Sequence, residues 1–131
     1  MEDCGVLRKL DAELFRAENG DDIDGIDWET YLRRTLADSF IIRRSDPRTP
    51  DQTREEMIRW IRERRVVRVP PQESEVVCWC EGSLGVVLSP VKVVNTSGGR
   101  LFRNVKVFRR SSDGLWVCLY WQVTEAPLDR V

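Results

Sequence analysis

The order of periodicities along the chain predicts an α+β domain, in which three N-terminal helices cover one face of a curved, mainly antiparallel sheet. Apolar residues recur at helical spacing in three stretches before Val66, and after it they fall into β-rich runs with short Gly- and Pro-containing breaks. The later runs are apolar on both sides, which asks for a cover on each face of the sheet.

In GVLRKLDAELFRAENG, Leu7, Leu10 and Leu14 share one side with Val6 and Phe15 beside them, and Asn19-Gly20 supplies a left-handed stop. DWETYLRRTLADSF opens on Asp27 as an N-cap and sets Trp28, Tyr31, Leu32 and Thr35 at i, i+3, i+4 and i+7. SFIIRRS is a short strand ended by Asp46-Pro47 and Pro50. Thr53 and Glu56 then form a capping box for TREEMIRWIRERR, whose apolar side is Met57, Ile58, Trp60 and Ile61. The remaining runs are RVVRV, SEVVCWC, LGVVLSPVKVV, RLFRNVKVFRR and LWVCLYWQVT, with breaks at Pro70-Pro71, Glu81-Gly82, Gly98-Gly99 and Asp113-Gly114.

At 131 residues the chain is the usual size of one domain, expected over 1–131, and 41% hydrophobic with 33% charged residues is ordinary globular composition. No apolar run reaches the roughly 18 residues a membrane span needs, and the N-terminus has no signal-peptide pattern, so a cytoplasmic protein with no membrane partner is expected. Residues 1–30 hold ten acids against three bases, residues 31–70 eleven bases against six acids, and the net charge is −1. Contacts within the fold or between subunits explain this asymmetry better than nucleic acid, which is not an expected partner. The bases of helix three, Arg54, Arg59, Arg62, Arg64 and Arg65, are expected to answer the acidic first thirty residues.

The chain has no histidine, which removes the usual general base and the commonest metal ligand. Asp22, Asp24 and Gly25 have calcium-loop spacing, but Gly20 and Tyr31 stand where the first and last ligands belong, so DDIDGIDWE reads as an acidic loop. Cys78 and Cys80, with Cys118, read as reduced sheet cysteines, because C-x-C on a strand lacks the turn of a metal knuckle. No metal and no cofactor are expected.

TLADSFIIRRSDP, TREEMIRWI and VFRRSSDGLWVCLYWQVT resemble the end of helix two with the first strand, the third-helix start and the closing hairpin of the nuclear transport factor 2-like, or cystatin-like, superfamily, over about Val6 to Thr124. The chain resembles there small stand-alone SnoaL-like proteins and the association domain of calmodulin-dependent kinase. That resemblance implies a cone with a pocket between the helices and the concave sheet face, and a homodimer formed through the convex face.

Closing the last hairpin over SSDG pairs Arg110 with Leu115 and puts Phe102, Asn104, Lys106 and Phe108 on one face with Val117, Leu119, Trp121 and Val123. A one-residue change in turn length swaps the faces. Resemblance to the ketosteroid isomerase branch implies that this set is concave. In that branch a carboxylate takes a proton from carbon, while a hairpin acid and a helix-one tyrosine hold the oxyanion. Here Arg44 stands at the base position and Lys106 at the hairpin acid, and helix one has no tyrosine; a two-residue slip makes Asp46 the base. The expected ligand site is therefore Arg44, Phe102, Asn104, Lys106, Phe108, Leu119 and Trp121, holding a small organic, anionic molecule, with Asp46 and Lys106 as catalytic candidates, Asp46 as base and Lys106 or Asn104 for an oxyanion. The alternatives are a SnoaL-like lyase, isomerase or cyclase using Asp46, and an assembly module without catalysis.

Overall fold

The computed structural model describes residues 3–64, 66–95 and 98–126, so Arg65 lies outside the described residues. Helices α1 (Asp3–Glu18), α2 (Trp28–Thr35) and α3 (Arg54–Glu63) precede most of a sheet built from β1 (Leu36–Arg44), β2 (Gln52–Thr53), β3 (Val67–Val69), β4 (Val77–Glu81), β5 (Leu84–Asn95), β6 (Gly98–Arg110) and β7 (Trp116–Ala126). This is the α+β arrangement expected from the sequence. The strand order is β2-β1-β7-β6-β5-β3, and β4 pairs with the first half of β5. All pairings are antiparallel except β1 with β7.

The helix boundaries follow their local chemistry. Gly20 takes φ 81° after α1, the Asp27 carboxylate accepts from the Thr30 amide, and the Thr53–Glu56 capping box is closed in both directions. The acidic loop folds as a two-residue hairpin: Ile23 and Ile26 exchange backbone hydrogen bonds around Asp24 (φ 49°) and Gly25 (φ 81°). That turn tucks Ile23 into the core.

Inner and outer sheet residues alternate in cross-strand rows. From the closed end of the concave face toward its mouth, one row is Cys80, Gly85, Phe108 and Cys118, and the next is Cys78, Val87, Lys106, Trp121 and Ile42. Ser89, Asn104, Val123 and Arg44 follow, then Val91, Phe102 and Glu125. On the outer face Trp79, Val86, Val107, Tyr120 and Ile41 form a row across five strands.

The last hairpin departs from its expected register twice. Arg110 pairs with Trp116 rather than Leu115, making the turn one residue longer, and a bulge between Val107 and Phe108 leaves Leu119 without a partner. The first shift turns Trp116 and Cys118 inward in place of Val117 and Leu119; the second restores the expected phase, so Trp121 and Val123 face inward. Leu119 is therefore not on the concave face.

One base of α3 meets an acid of the first thirty residues as expected, and another pairs outside that stretch. Arg62 Nε donates to Glu29 Oε1 at 2.8 Å, and Arg54 reaches Asp38 at 2.9 Å. Arg64 instead lies over the Trp60 ring, its guanidinium carbon 3.9 Å from the centroid.

Candidate functional site

The concave face has a sealed end and an open end. At the sealed end Lys106 is 0% exposed. Its ammonium donates to Asp11 Oδ1 at 2.6 Å and sits 3.6 Å from the Phe15 ring centroid and 4.1 Å from that of Trp121. Ser89 Oγ donates to the same carboxylate oxygen at 3.1 Å. Asp11 reaches the sheet because it occupies the apolar stripe of α1, four residues from Leu7 and three from Leu14. Lys106 is thus a satisfied core cation, packed among Phe15, Phe108 and Trp121, and does not reach an open cavity. Burial also pushes the neighbouring Cys118 thiol up to about 12.

Asn104 closes this end. Its Oδ1 accepts from Trp121 Nε1 at 2.7 Å and its Nδ2 donates to the Ser89 carbonyl at 3.3 Å. On the far side of Asn104 the cone opens into a cavity of about 860 Å³, walled by Arg44, Trp60, Arg68, Val91, Phe102, Val123 and Glu18, with Asp46, Arg48, Arg100 and Glu125 at its edge. That volume suits a drug-sized organic molecule.

Four arginines and three acids line the cavity, and the acids are taken. Arg68 Nε meets Glu18 at 3.1 Å, both side chains buried; Arg48 meets Asp46 at 3.2 Å; Arg100 meets Glu125 at 3.9 Å. Arg44 is left over. Among the described residues no carboxylate stands at ion-pair distance from it. One terminal nitrogen donates to Gln52 Oε1 at 3.3 Å, its Nε is buried without a partner, and its guanidinium carbon lies 5.0 Å from the Trp60 ring centroid. Burial lowers the Arg44 pKa, but a guanidinium stays charged at neutral pH.

Of the expected site residues, Arg44, Phe102 and Asn104 share this cavity. Lys106, Phe108 and Trp121 are sealed in the core, and Leu119 is on the other face. Asp46 is at the rim, where hydrogen bonds from Arg48 hold its carboxyl below the usual range, a poor setting for a base that must take a proton from carbon. Trp60, Arg68 and Glu18 belong to the cavity and were not anticipated.

The fold has counterparts among solved structures. An NTF2-like protein from Cytophaga hutchinsonii superposes with a TM-score of 0.74 at 17% identity, over 96% of this chain and 100% of the other. The fold is nuclear transport factor 2-like. A CaMKII hub from S. rosetta shares this nuclear transport factor 2-like fold with a TM-score of 0.71 at 12% identity, over 96% and 98% of the two chains. A putative ketosteroid isomerase from Parabacteroides distasonis does so with a TM-score of 0.64 at 11% identity, over 94% and 91%. No family model and no curated protein matches the sequence itself. No helix of the described residues is long and apolar enough to cross a membrane.

Proposed function

We propose that the protein binds a small organic anion in the cavity at the open end of the cone. The observation that carries this reading is Arg44, the one lining arginine among the described residues with no carboxylate partner, presented beside an aromatic ring inside a cavity of ligand size. A carboxylate or phosphate monoester would replace the long Gln52 contact with a charge-assisted, bidentate one. Its apolar body would lie against Trp60, Phe102, Val91 and Val123. A thermal-shift panel of aromatic and aliphatic carboxylates against their neutral amides tests this, with native mass spectrometry for stoichiometry. Carboxylates are expected to raise Tm where the amides do not, and Arg44→Gln to abolish the difference; equal shifts from both classes would overturn the reading.

The outer sheet face supports a second reading, self-association, which is compatible with the first. Val77 and Trp79 are 43% and 58% exposed, and the row from Trp79 to Ile41 continues that apolar surface across the sheet. A second copy packed on this face forms a homodimer. Light scattering on the wild type and on Trp79→Glu with Val107→Glu measures it: a dimer reduced to a monomer supports the interface, and a wild-type monomer at high concentration rejects it. Proton abstraction by Asp46 has less support than binding, since Arg48 occupies that carboxylate.

A further inference from the structure

Cys4, Cys78 and Cys80 bring their sulfurs within 4.8 Å of one another, although Cys4 opens α1 and the other two lie on β4. Cys78 and Cys80 alternate with the outward Trp79, so both point to the inner side of β4, where α1 packs. The approach is built in by the chain. Gly85, opposite Cys80, has no side chain to hold the helix away: a Cβ there would stand 2.2 Å from Leu7 Cδ1. Leu7 is one turn after Cys4, so this close seat sets the Cys4 thiol on β4, where its Sγ lies 3.4 Å from that of Cys80. Arg8 Nη1 donates to the Val76 carbonyl at 2.7 Å and ties the same turn of α1 to the start of β4.

We propose that these three cysteines form a binding site for a single thiophilic d10 cation, Cu⁺ or Zn²⁺. Three sulfurs about 2.3 Å from a shared metal stand about 4.0 Å apart when the metal lies in their plane, close to the spacing of this trio, whose sulfurs all lie within 4.8 Å of one another. Sulfur-only donors select soft cations over magnesium or calcium. Cu⁺ is satisfied by three thiolates, whereas Zn²⁺ would take a water as fourth ligand. On binding, the three S–H groups release their protons to solvent as three metal–sulfur bonds form. The resulting negative charge sits at the N-terminal end of a 16-residue helix, where the helix dipole favours it. All three cysteines are half-buried, which keeps the site reachable from solvent. The charged cavity lies at the opposite end of the concave face, so the metal site stands or falls independently of ligand binding there.

Titration of the fully reduced, full-length protein with Cd²⁺, and separately with Cu⁺ under anaerobic conditions, tests the site. One equivalent is expected to bind with a thiolate-to-metal charge-transfer band and release of protons into a weakly buffered solution; Cys4→Ser and Cys80→Ser should each lose the band, while Cys118→Ser keeps it. Competition between Cu⁺ and Zn²⁺ then assigns the preferred ion. Absence of stoichiometric uptake, a band that survives Cys4→Ser, or formation only of a Cys4–Cys80 disulfide would overturn the proposal. If Cys80→Ser does not fold, Cys4→Ser, at the solvent-facing start of its helix, carries the test alone.

Discussion

Lys106 and Arg44 are cations on the same concave face, one cross-strand row apart, and the protein treats them in opposite ways. Lys106 is sealed from water and matched by two aromatic rings and by Asp11, whose carboxylate also accepts from Ser89. Arg44 faces an open cavity with a ring and a long amide contact but no acid. A buried charge is tolerable only when paired and hydrogen-bonded, whereas one at a cavity wall can leave part of its valence to a ligand. The difference separates a structural ion pair from a recognition group, although both residue types look alike on the strands.

Removing one partner at the sealed end should have the largest effect. Lys106→Met leaves the Asp11 carboxylate buried without its cation and is expected to cost about 3–5 kcal/mol in urea unfolding, most of it regained when Asp11→Leu is added. Additive losses in the double variant would mean that the two groups do not act as a pair. Asn104 stands between the two ends, and Asn104→Leu strands the Trp121 indole N–H. An expected loss of about 1–3 kcal/mol follows, accompanied by a red-shifted tryptophan emission if water then enters from the cavity. Arg44→Met should change stability by less than about 1 kcal/mol, because the lost contact with Trp60 is offset by relief of a desolvated charge. The same variant should eliminate every carboxylate-dependent thermal shift, so stability and binding would divide between the two cations.

The smallest expected effect is a pH dependence set at the periphery. Arg48, Arg43 and Arg33 hold Asp46, Asp51 and Glu55 below the usual carboxylate range, and hydrogen bonds with Thr53 do the same for Glu56. A carboxylate whose folded pKa is depressed contributes stability that is present above its unfolded value and is lost as pH falls through the folded one. Urea midpoints should therefore stay flat from neutral pH to about 5 and decline below about 4. The decline should be gentle, since these groups are exposed and screened. A decline beginning near neutrality would point to another titrating group.

The fold was legible because its signals are local: caps at Asp27 and Thr53, a left-handed stop at Gly20, and the change of apolar period after Val66. Arg44, Asn104 and Phe102 were legible as neighbours once strand alternation was applied. Lys106 was misplaced because alternation gives the face of a strand but not the depth along it, and its partner lies 95 residues away. A signal for that partner was present, since Asp11 and Glu18 interrupt the stripe of Leu7 and Leu14 on α1, and two acids on a buried stripe call for two bases opposite. These are Lys106 and Arg68. Leu119 was misplaced for another reason, because bulges carry no strong composition signature. Trp60 was read only as core, and it is the exposure of its ring to two guanidiniums that brings it into the cavity wall.

The terminal hairpin behaves like a reading frame shifted twice. Its longer turn puts β7 out of phase with β6 and the unpaired Leu119 puts it back, so only the four residues from Trp116 to Leu119 are out of frame. Deleting Leu119 should therefore remove the bulge without moving its neighbours: Cys118 stays opposite Phe108, Tyr120 opposite Val107 and Trp121 inward opposite Lys106, so the variant should fold with a regular β6–β7 ladder.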